Sequence, residues 1–533
     1  LADLVGQAGT LPESTYLVLD DAHQLEDEAT RQWGMAISPY SLFNYLDWLS
    51  RPVTWKVSAK PERNGFLHDF ARYYKPDTSP EIKTLFGQLG EETIRQVDSA
   101  RETAGNLLRE LSTLLYQHNQ EAGQADGRLR LDQKFRNGTT WAESVGLWEV
   151  FHTEWEELYY KLAELRDEAQ EVRTFLDRAD EMLTDLNYYV NQCNYLLNKL
   201  TAAFETGESG QIFWMGATRL HATSSAAQAV APGDNAPVTE RTGVSLYSAP
   251  LEVAPLLEQR LYNRKRSVAM VSATLTTEND FGFIKDRLGL EHIRPQEVRL
   301  APDRDFSRTL LYLPSDMPEP NQPGYQKSVD QNIMELVKLS KGRVVAIFSS
   351  NSALRLTYRA VQRPLENANI LVLGQGQDGT RRSMMSRFKN TPQAVMLTTL
   401  NFWETTELSG NMPETEDENS ETGLFNLLVI TKLPFDPPSD PVFAARVESK
   451  LFEKPFEQYA LPRTILRFRQ AFERLLSGQP EQGAVVMLDS RLISKSYGGL
   501  FLNSLPPLTT QIDSLNQLGM NVKDWLEKPP SLD

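Results

Sequence analysis

Five short segments hold the residues whose types and spacing could do chemistry. The first is LVLDDAHQLEDEA (17–29), an apolar run that ends in Asp20 and Asp21. Two carboxylates at the end of a buried strand suit phosphoryl transfer: one holds a magnesium ion, directly or through water, and the other orients the attacking water. Acidic strand ends are also common loop starts, so the pair gains meaning only from its neighbours. The second segment is VSATLT (271–276), a small-residue turn directly after a strand. The third, FSSNSALRLTYRAV (348–361), ends a strand in hydroxyl residues that face a helix N-terminus, an arrangement able to hold a phosphate of a nucleotide or of a DNA backbone. The fourth, TTLNFWETTELSG (398–410), sets an aromatic pair and two carboxylates after a strand. The fifth, RFRQAFERLL (467–476), presents Gln470 and Arg474 at i,i+4 on one helix face. An arginine aimed at a γ-phosphate stabilises the charge that develops in phosphoryl transfer; the plainer reading is a solvated basic face.

These segments need elements to position them. From Val244 onward short apolar runs alternate with helical stretches: SVAMVSATL (267–275), GRVVAIFSS (342–350), NILVLG (369–374), QAVMLTTL (393–400), FNLLVITKL (425–433) and GAVVMLD (483–489). Buried strands alternating with helices predict a mainly parallel sheet covered on both faces. Between the first segment and the second the character is different. Apolar residues from Ile82 to Leu115 recur at three- and four-residue steps, and a second such stretch runs from Trp141 to Phe204 with no proline and one glycine, Gly146. The spacing predicts two long amphipathic helices packed antiparallel, with no chemistry of their own. Residues 222–243 are small, polar and Pro/Gly-punctuated, which predicts a flexible connection. PSDMPEPNQPGY (314–325) is expected to mark a boundary between two α/β units, and NMPETEDENSETG (411–423) an exposed acidic loop.

Composition narrows the class. At 533 residues the chain exceeds a single core and suggests three or four compact units. Its one cysteine, Cys193, excludes a disulfide framework and any Cys-ligated cluster within these residues; on an apolar helical stripe it reads as a buried inert thiol. A cytoplasmic location, with no membrane association, is the expectation. A formal net charge of −16 argues against a broad basic surface that coats nucleic acid, but a motor gripping one strand in a narrow groove can be acidic overall. The first residue is Leu1, so the chain is expected to be an excerpt of a longer protein.

In this order and spacing the five segments resemble motifs II to VI of superfamily 2 helicases, specifically the DinG/XPD branch. Motif II is similar to Asp20-Asp21-Ala22-His23, motif III to Ser272-Ala273-Thr274-Leu275, and the opening of motif V to Phe402-Trp403-Glu404. The flanks SAPLEVAPLLEQRL (248–261), KLPFDPPSDP (432–441) and LDSRLISKSYGGLFLNSLP (488–506) are family-like as well. The resemblance implies an α/β fold of RecA-like parallel-sheet motor domains with a long α-helical, Arch-like insertion, the first motor domain being incomplete. The implied division is 1–45 for the end of the first motor domain, 46–221 for the insertion, 222–305 for the rest of the first motor domain and 306–533 for the second. It further implies a motor powered by ATP with Mg2+ that unwinds DNA 5′→3′ and acts on single-stranded DNA or DNA junctions; a monomer is the expectation, with the oligomeric state left open by the sequence. In such a motor Asp20 binds the metal, Asp21 is the general base and His23 joins the nucleotide site to the DNA site. Ser272 and Thr274 link hydrolysis to movement. Gln470, Arg474 and Glu407 reach the nucleotide, and Phe348, Ser349, Ser350 and Trp403 contact the strand.

Three departures bear on activity. No G-x-x-x-x-G-K-[ST] loop is present; the family places it upstream of motif II, as it does the cysteines of an iron–sulfur cluster, so no cluster is expected in these residues. Alone, the chain is expected to be inactive. Asp21 stands where the family has Glu, and Thr405, Thr406, Glu407 and Ser409 replace the usual Gly, Val or Ile, Asp and Pro. In motif VI, Ala471 and Glu473 occupy glycine positions, and Ser477 replaces the second arginine unless Arg463, Arg467 or Arg469 substitutes. Two functions therefore stand: a DNA helicase of repair or replication, or a degenerate helicase-like scaffold that binds DNA or a partner.

Overall fold

The computed structural model describes residues 12–51, 64–121, 127–205, 210–220, 241–278, 280–300, 306–340, 343–400, 402, 424–476 and 483–527. The chain forms two compact units. Among the described residues no helix is long and apolar enough to cross a membrane.

Unit 1 comprises Leu1–Pro12, Asp27–Val253 and Pro437–Glu448. Three long helices dominate it: α1 (Pro80–Glu121), α2 (Thr139–Glu171) and α3 (Ala179–Phe204). Helices α1 and α2 run antiparallel, because Glu92 meets Lys161, Gln96 meets Glu154 and Ala100 meets Trp155. Their apolar stripes build one core around Phe86, Phe151 and Trp155, and Cys193 on α3 lies within it. The periodicity over 141–204 predicted one helix; the chain instead breaks at 172–178. The break is made by tertiary hydrogen bonds that no local breaker announces. The Asp177 amide donates to Tyr73 O (2.7 Å), Thr78 Oγ1 to Phe175 O (2.8 Å) and Lys75 Nζ to Thr174 O (2.7 Å). A four-stranded antiparallel sheet completes the unit, in the order Met35–Ile37, Arg241–Pro250, Gln211–Leu220, Arg128–Arg130. Of the connection predicted at 222–243, residues 222–240 lie outside the described residues, and 241–243 open the strand Arg241–Pro250.

Unit 2 comprises Glu13–Glu26, Ala254–Asp436 and Ser449–Asp533. It contains a parallel pair, β1 (Tyr16–Leu19) and β2 (Ser267–Met270), in the register Tyr16 to Ser267. Its main sheet has seven parallel strands: β3 (Thr309–Pro314), β4 (Arg343–Phe348), β5 (Leu371–Gly374), β6 (Ala394–Thr399), β7 (Leu427–Ile430), β8 (Gly483–Met487) and β9 (Thr509–Asp513). Their spatial order is β9-β3-β8-β7-β4-β6-β5. The strands are apolar on both faces because both are covered. Val345 and Ile347 of β4 enter one core with Met396, Leu428 and Val485, while Val344, Ala346 and Phe348 enter the other with Val395, Leu427 and Val486. The mixed α/β class and the parallel sheet are as the sequence predicts. Residues 314–325 are not a boundary: Pro314 ends β3, and the segment leads within unit 2 to the helix Tyr325–Leu339.

Candidate functional site

Two sets of residues in unit 2 have the makings of a site. The first lies at the carboxyl ends of β1 and β2. Asp20 and Asp21 are exposed, and Asp20 Oδ1 accepts the Asp21 amide at 2.9 Å. Asp21 adopts a left-handed backbone (φ 51°, ψ 38°), which asparagine and aspartate tolerate better than bulkier residues, and it caps the short turn that carries His23. His23 Nδ1 shares a hydrogen bond of 2.7 Å with Ser272 Oγ and lies 3.9 Å from Asp21 Oδ1. Ser272 Oγ also accepts the Thr274 amide at 3.2 Å. The backbone joins the same two turns, since the Ala22 amide donates to Val271 O and the Val271 amide to Leu19 O. Asp20, Asp21, His23, Ser272 and Thr274 thus form one cluster although 249 residues separate His23 from Ser272.

The fit of a metal can be tested on this geometry. Among the described residues, no group of three or more His, Cys, Asp or Glu side chains is placed to cage an ion. Two adjacent exposed carboxylates do suit Mg2+, which is bound through one or two carboxylates while phosphate oxygens and water complete its octahedron.

The second set surrounds the end of β4, where the sheet order switches from β7 on one side to β6 on the other. Ligands of open α/β sheets gather at such points. A cavity of about 490 Å³ opens there, lined among others by Gln322, Gln326, Ser349, Ser350 and Lys432. Ser349 is exposed, and Ser350 caps helix α4 (Asn351–Glu366) by accepting the Ala353 amide at 3.2 Å. Burial, and then the nearby Arg491 charge, hold the Lys432 ammonium below the usual lysine range, while Asp489 opposes them. Phe348 also lines the cavity, but the residue is only 1% exposed and its side chain packs in the core. Sequence reasoning did not single out Lys432, Gln322 or Gln326. The lysine directly follows β7 in the family-like flank after motif V, which was its only signal.

Helix α5 (Leu461–Leu476) carries Gln470 and Arg474. Gln470 is half-buried; the Arg474 side chain lies outside the described residues, as do Trp403, Glu407 and Ser477. Phe402 is buried beneath Arg381, whose guanidinium carbon sits 5.0 Å from the ring centroid. Of the three arginines that might replace the missing one, Arg463 and Arg467 both bond Asp436, and Arg469 Nη1 donates to Thr276 Oγ1 at 3.0 Å, beside motif III.

Residues 333–508 match the family described as the helicase C-terminal domain. The chain is 31% identical over 282 residues to the protein named 3′-5′ exonuclease DinG of Bacillus subtilis, covering 52% of this chain and 29% of that one. It is 25% identical over 516 residues to the ATP-dependent DNA helicase YoaA of Escherichia coli, covering 95% of this chain and 65% of that one. A solved structure named XPD helicase aligns with 93% of this chain and 68% of its own, at a TM-score of 0.46 and 13% identity. The chain therefore spans less than two thirds of the length of these two curated relatives. Residues 333–508 thus match the helicase C-terminal domain, the chain is similar to the DinG and YoaA relatives over the shares given, and the His23–Ser272 bond joins the motif II-like and motif III-like turns as one cluster.

Proposed function

We propose that these residues are part of an ATP-dependent DNA helicase that couples hydrolysis to translocation on single-stranded DNA and to duplex unwinding, in repair or replication. The observation that carries this reading is the 2.7 Å His23–Ser272 hydrogen bond, which ties the carboxylate turn to the motif III turn. An acidic loop with no catalytic task has no need of that tie. The relatives named as ATP-dependent DNA helicases support the same reading.

ATP with Mg2+, when bound, supplies the phosphoryl group and the positive charge that offsets its transfer. Asp20 would hold the metal, and Asp21 would orient the attacking water and take its proton. His23 senses the state of that turn and passes it to Ser272 and Thr274. Gln470, Arg474 and Glu407 are assigned to nucleotide binding by their places in motifs V and VI. Ser349, Ser350 and Lys432 bind strand phosphates at the end of β4, and Trp403 stacks on a base. Residues 306–533 act as the second motor domain and 46–221 as the helical insertion. Residues 1–45 and 222–305 belong to a first motor domain only partly present, a view supported by the two-stranded β1–β2 sheet and the exposure of Tyr16 (61%) and Val18 (69%).

The test is single-strand-stimulated ATPase of the full-length protein with and without Asp20→Asn. Collapse of turnover supports the motor, and equal turnover removes it. A scaffold that binds DNA without hydrolysis is favoured by one specific observation, the loss of the motif VI glycines and second arginine at Ala471, Glu473 and Ser477. Strand binding by a wild-type protein with no turnover would establish that reading instead.

A further inference from the structure

Helix α5 is amphipathic. Leu461, Ile465, Phe468 and Phe472 pack into the core beneath the sheet. Positions 463, 467, 470 and 474 follow at steps of four, three and four, so they share the opposite face. The chain enters α5 through a π-helical turn, Phe456–Ala460, which departs from the α repeat and leaves the rotational phase of α5 to its side-chain contacts.

Those contacts are specific. Asp436, in the loop after β7, accepts from Arg463 Nε at 2.7 Å and from Arg467 Nη1. Arg463 Nη1 also lies 3.8 Å from Glu26 Oε2, and Arg287 donates to the other oxygen of the same carboxylate. Glu26 stands five residues after Asp21, on the helix that continues from the carboxylate turn. The side chains of Glu26, Asp436 and Arg463 are all at least four-fifths buried, so their charges meet with little screening. A chain of ion pairs therefore runs from the motif II turn to the first two turns of α5.

We infer that Glu26, Asp436, Arg463 and Arg467 are positioning residues that set the rotation of α5 and with it the direction of Gln470 and the placement of position 474 on the same face. The inference rests on the helicase reading above for its kinetic consequence, but not for the geometry it asserts. A turn of α5 about its axis sweeps position 470 sideways, and a misplacement of about 1 Å at a catalytic group costs on the order of 100-fold in rate.

Two measurements on the full-length protein decide it. In single-strand-stimulated ATP turnover, Asp436→Asn and Arg463→Gln are each expected to lower kcat by roughly 10- to 100-fold, and KM for ATP and strand affinity should stay within about 3-fold. Arg463→Lys, which keeps the charge, is expected to recover part of the loss. The second readout is free of catalysis. Cys193 is buried, so within these residues a spin label placed through Gln470→Cys reports on α5; the difference from the same labelled protein without Gln470→Cys isolates that signal, and Asp436→Asn should increase its mobility. Should Asp436→Asn fail to fold, Arg467→Gln at the more exposed end of the network makes the same test. Folded variants with unchanged kcat and an unchanged label spectrum would overturn the inference, as would KM and strand affinity collapsing together with kcat. A wild-type protein without turnover defeats the helicase reading alone, and the label spectrum then judges the positioning.

Discussion

Replacing Glu26 with Gln removes one charge from a deeply buried ion pair of unit 2. The Glu26 and Arg287 side chains are 6% and 5% exposed. Arg287 donates to Glu26 Oε1 from Nε at 3.1 Å and from Nη2 at 2.7 Å, and its guanidinium carbon lies 5.3 Å and 5.1 Å from the ring centroids of Phe452 and Tyr459. Burial lowers the Arg287 pKa, the Glu26 charge and hydrogen bonds raise it, and the net direction is upward. A guanidinium is not deprotonated in proteins, so Arg287 stays charged when Glu26 loses its charge. Breaking such a pair leaves an uncompensated buried charge, at a cost of about 3–5 kcal/mol. Against a typical domain stability of roughly 5–15 kcal/mol, this is a large fraction of the total. Urea denaturation followed by circular dichroism should register a lower midpoint at an unchanged slope. The double variant Glu26→Leu with Arg287→Met removes both charges at similar volume and should regain most of the loss, since buried pairs often exchange for apolar residues at no net cost. A loss below about 1 kcal/mol in Glu26→Gln would refute the reasoning, because it would mean that solvent already reaches the pair. So would a double variant as unstable as the sum of its single changes.

Other outcomes are expected elsewhere. Burial pushes the Cys193 thiol up to about 12, with Tyr45 opposing; folding thus gains stability that is complete below the unfolded thiol pKa of about 8.5 and is lost as pH rises from there towards 12. Midpoints should fall in that window and fall less in Cys193→Ala, and native protein at pH 8 should resist maleimide until unfolded; rapid labelling of the folded chain would contradict the burial. For the motif II–III tie, His23→Ala and Ser272→Ala should each reduce turnover, and together by less than the product of the two; independent effects would mean that the 2.7 Å bond transmits nothing. Lys432→Ala should weaken single-strand binding and reduce the slope of log affinity against log salt by about 0.7, whereas an unchanged slope would take the lysine out of contact with phosphate.

How much of this was legible beforehand depends on where each determinant lies. Six strands of unit 2 were readable because continuous apolar runs such as Val344–Phe348 and Leu427–Ile430 have no other stable use than a sheet covered on both faces. The same two-sided burial hid the direction of Phe348. With apolar residues at every position, alternation could not tell which face its ring enters, and its place at the strand end suggested contact with a ligand. Strand β3 escaped notice beside the prolines of 314–325, although its six residues are all buried. The helix break at 172–178 depends on hydrogen-bond partners, two side chains and one carbonyl, roughly a hundred residues away in the chain. Local periodicity carries no trace of them.

The carboxylate turn and the arginine helix differ in the same way. Asp20, Asp21, His23 and Ser272 were found because their chemistry sits in short contiguous motifs. The residues that aim α5 were not found, because Asp436 and Arg463 are 27 positions apart and each alone is an ordinary surface charge. Their pairing bears on the loss of an arginine at Ser477. Arg463 and Arg467 were candidates to replace it, yet both are committed to Asp436, and leaving would strand a carboxylate only 12% exposed. Arg469 is placed differently: its Nη1 donates to the Thr276 hydroxyl, beside the motif III turn that bonds His23. That position makes Arg469 the candidate of the three to stand in for the missing arginine. If the protein hydrolyses ATP, Arg469→Ala should therefore lower kcat by more than the roughly 10- to 100-fold expected at Arg467, and a loss no larger than that would remove Arg469 from the role.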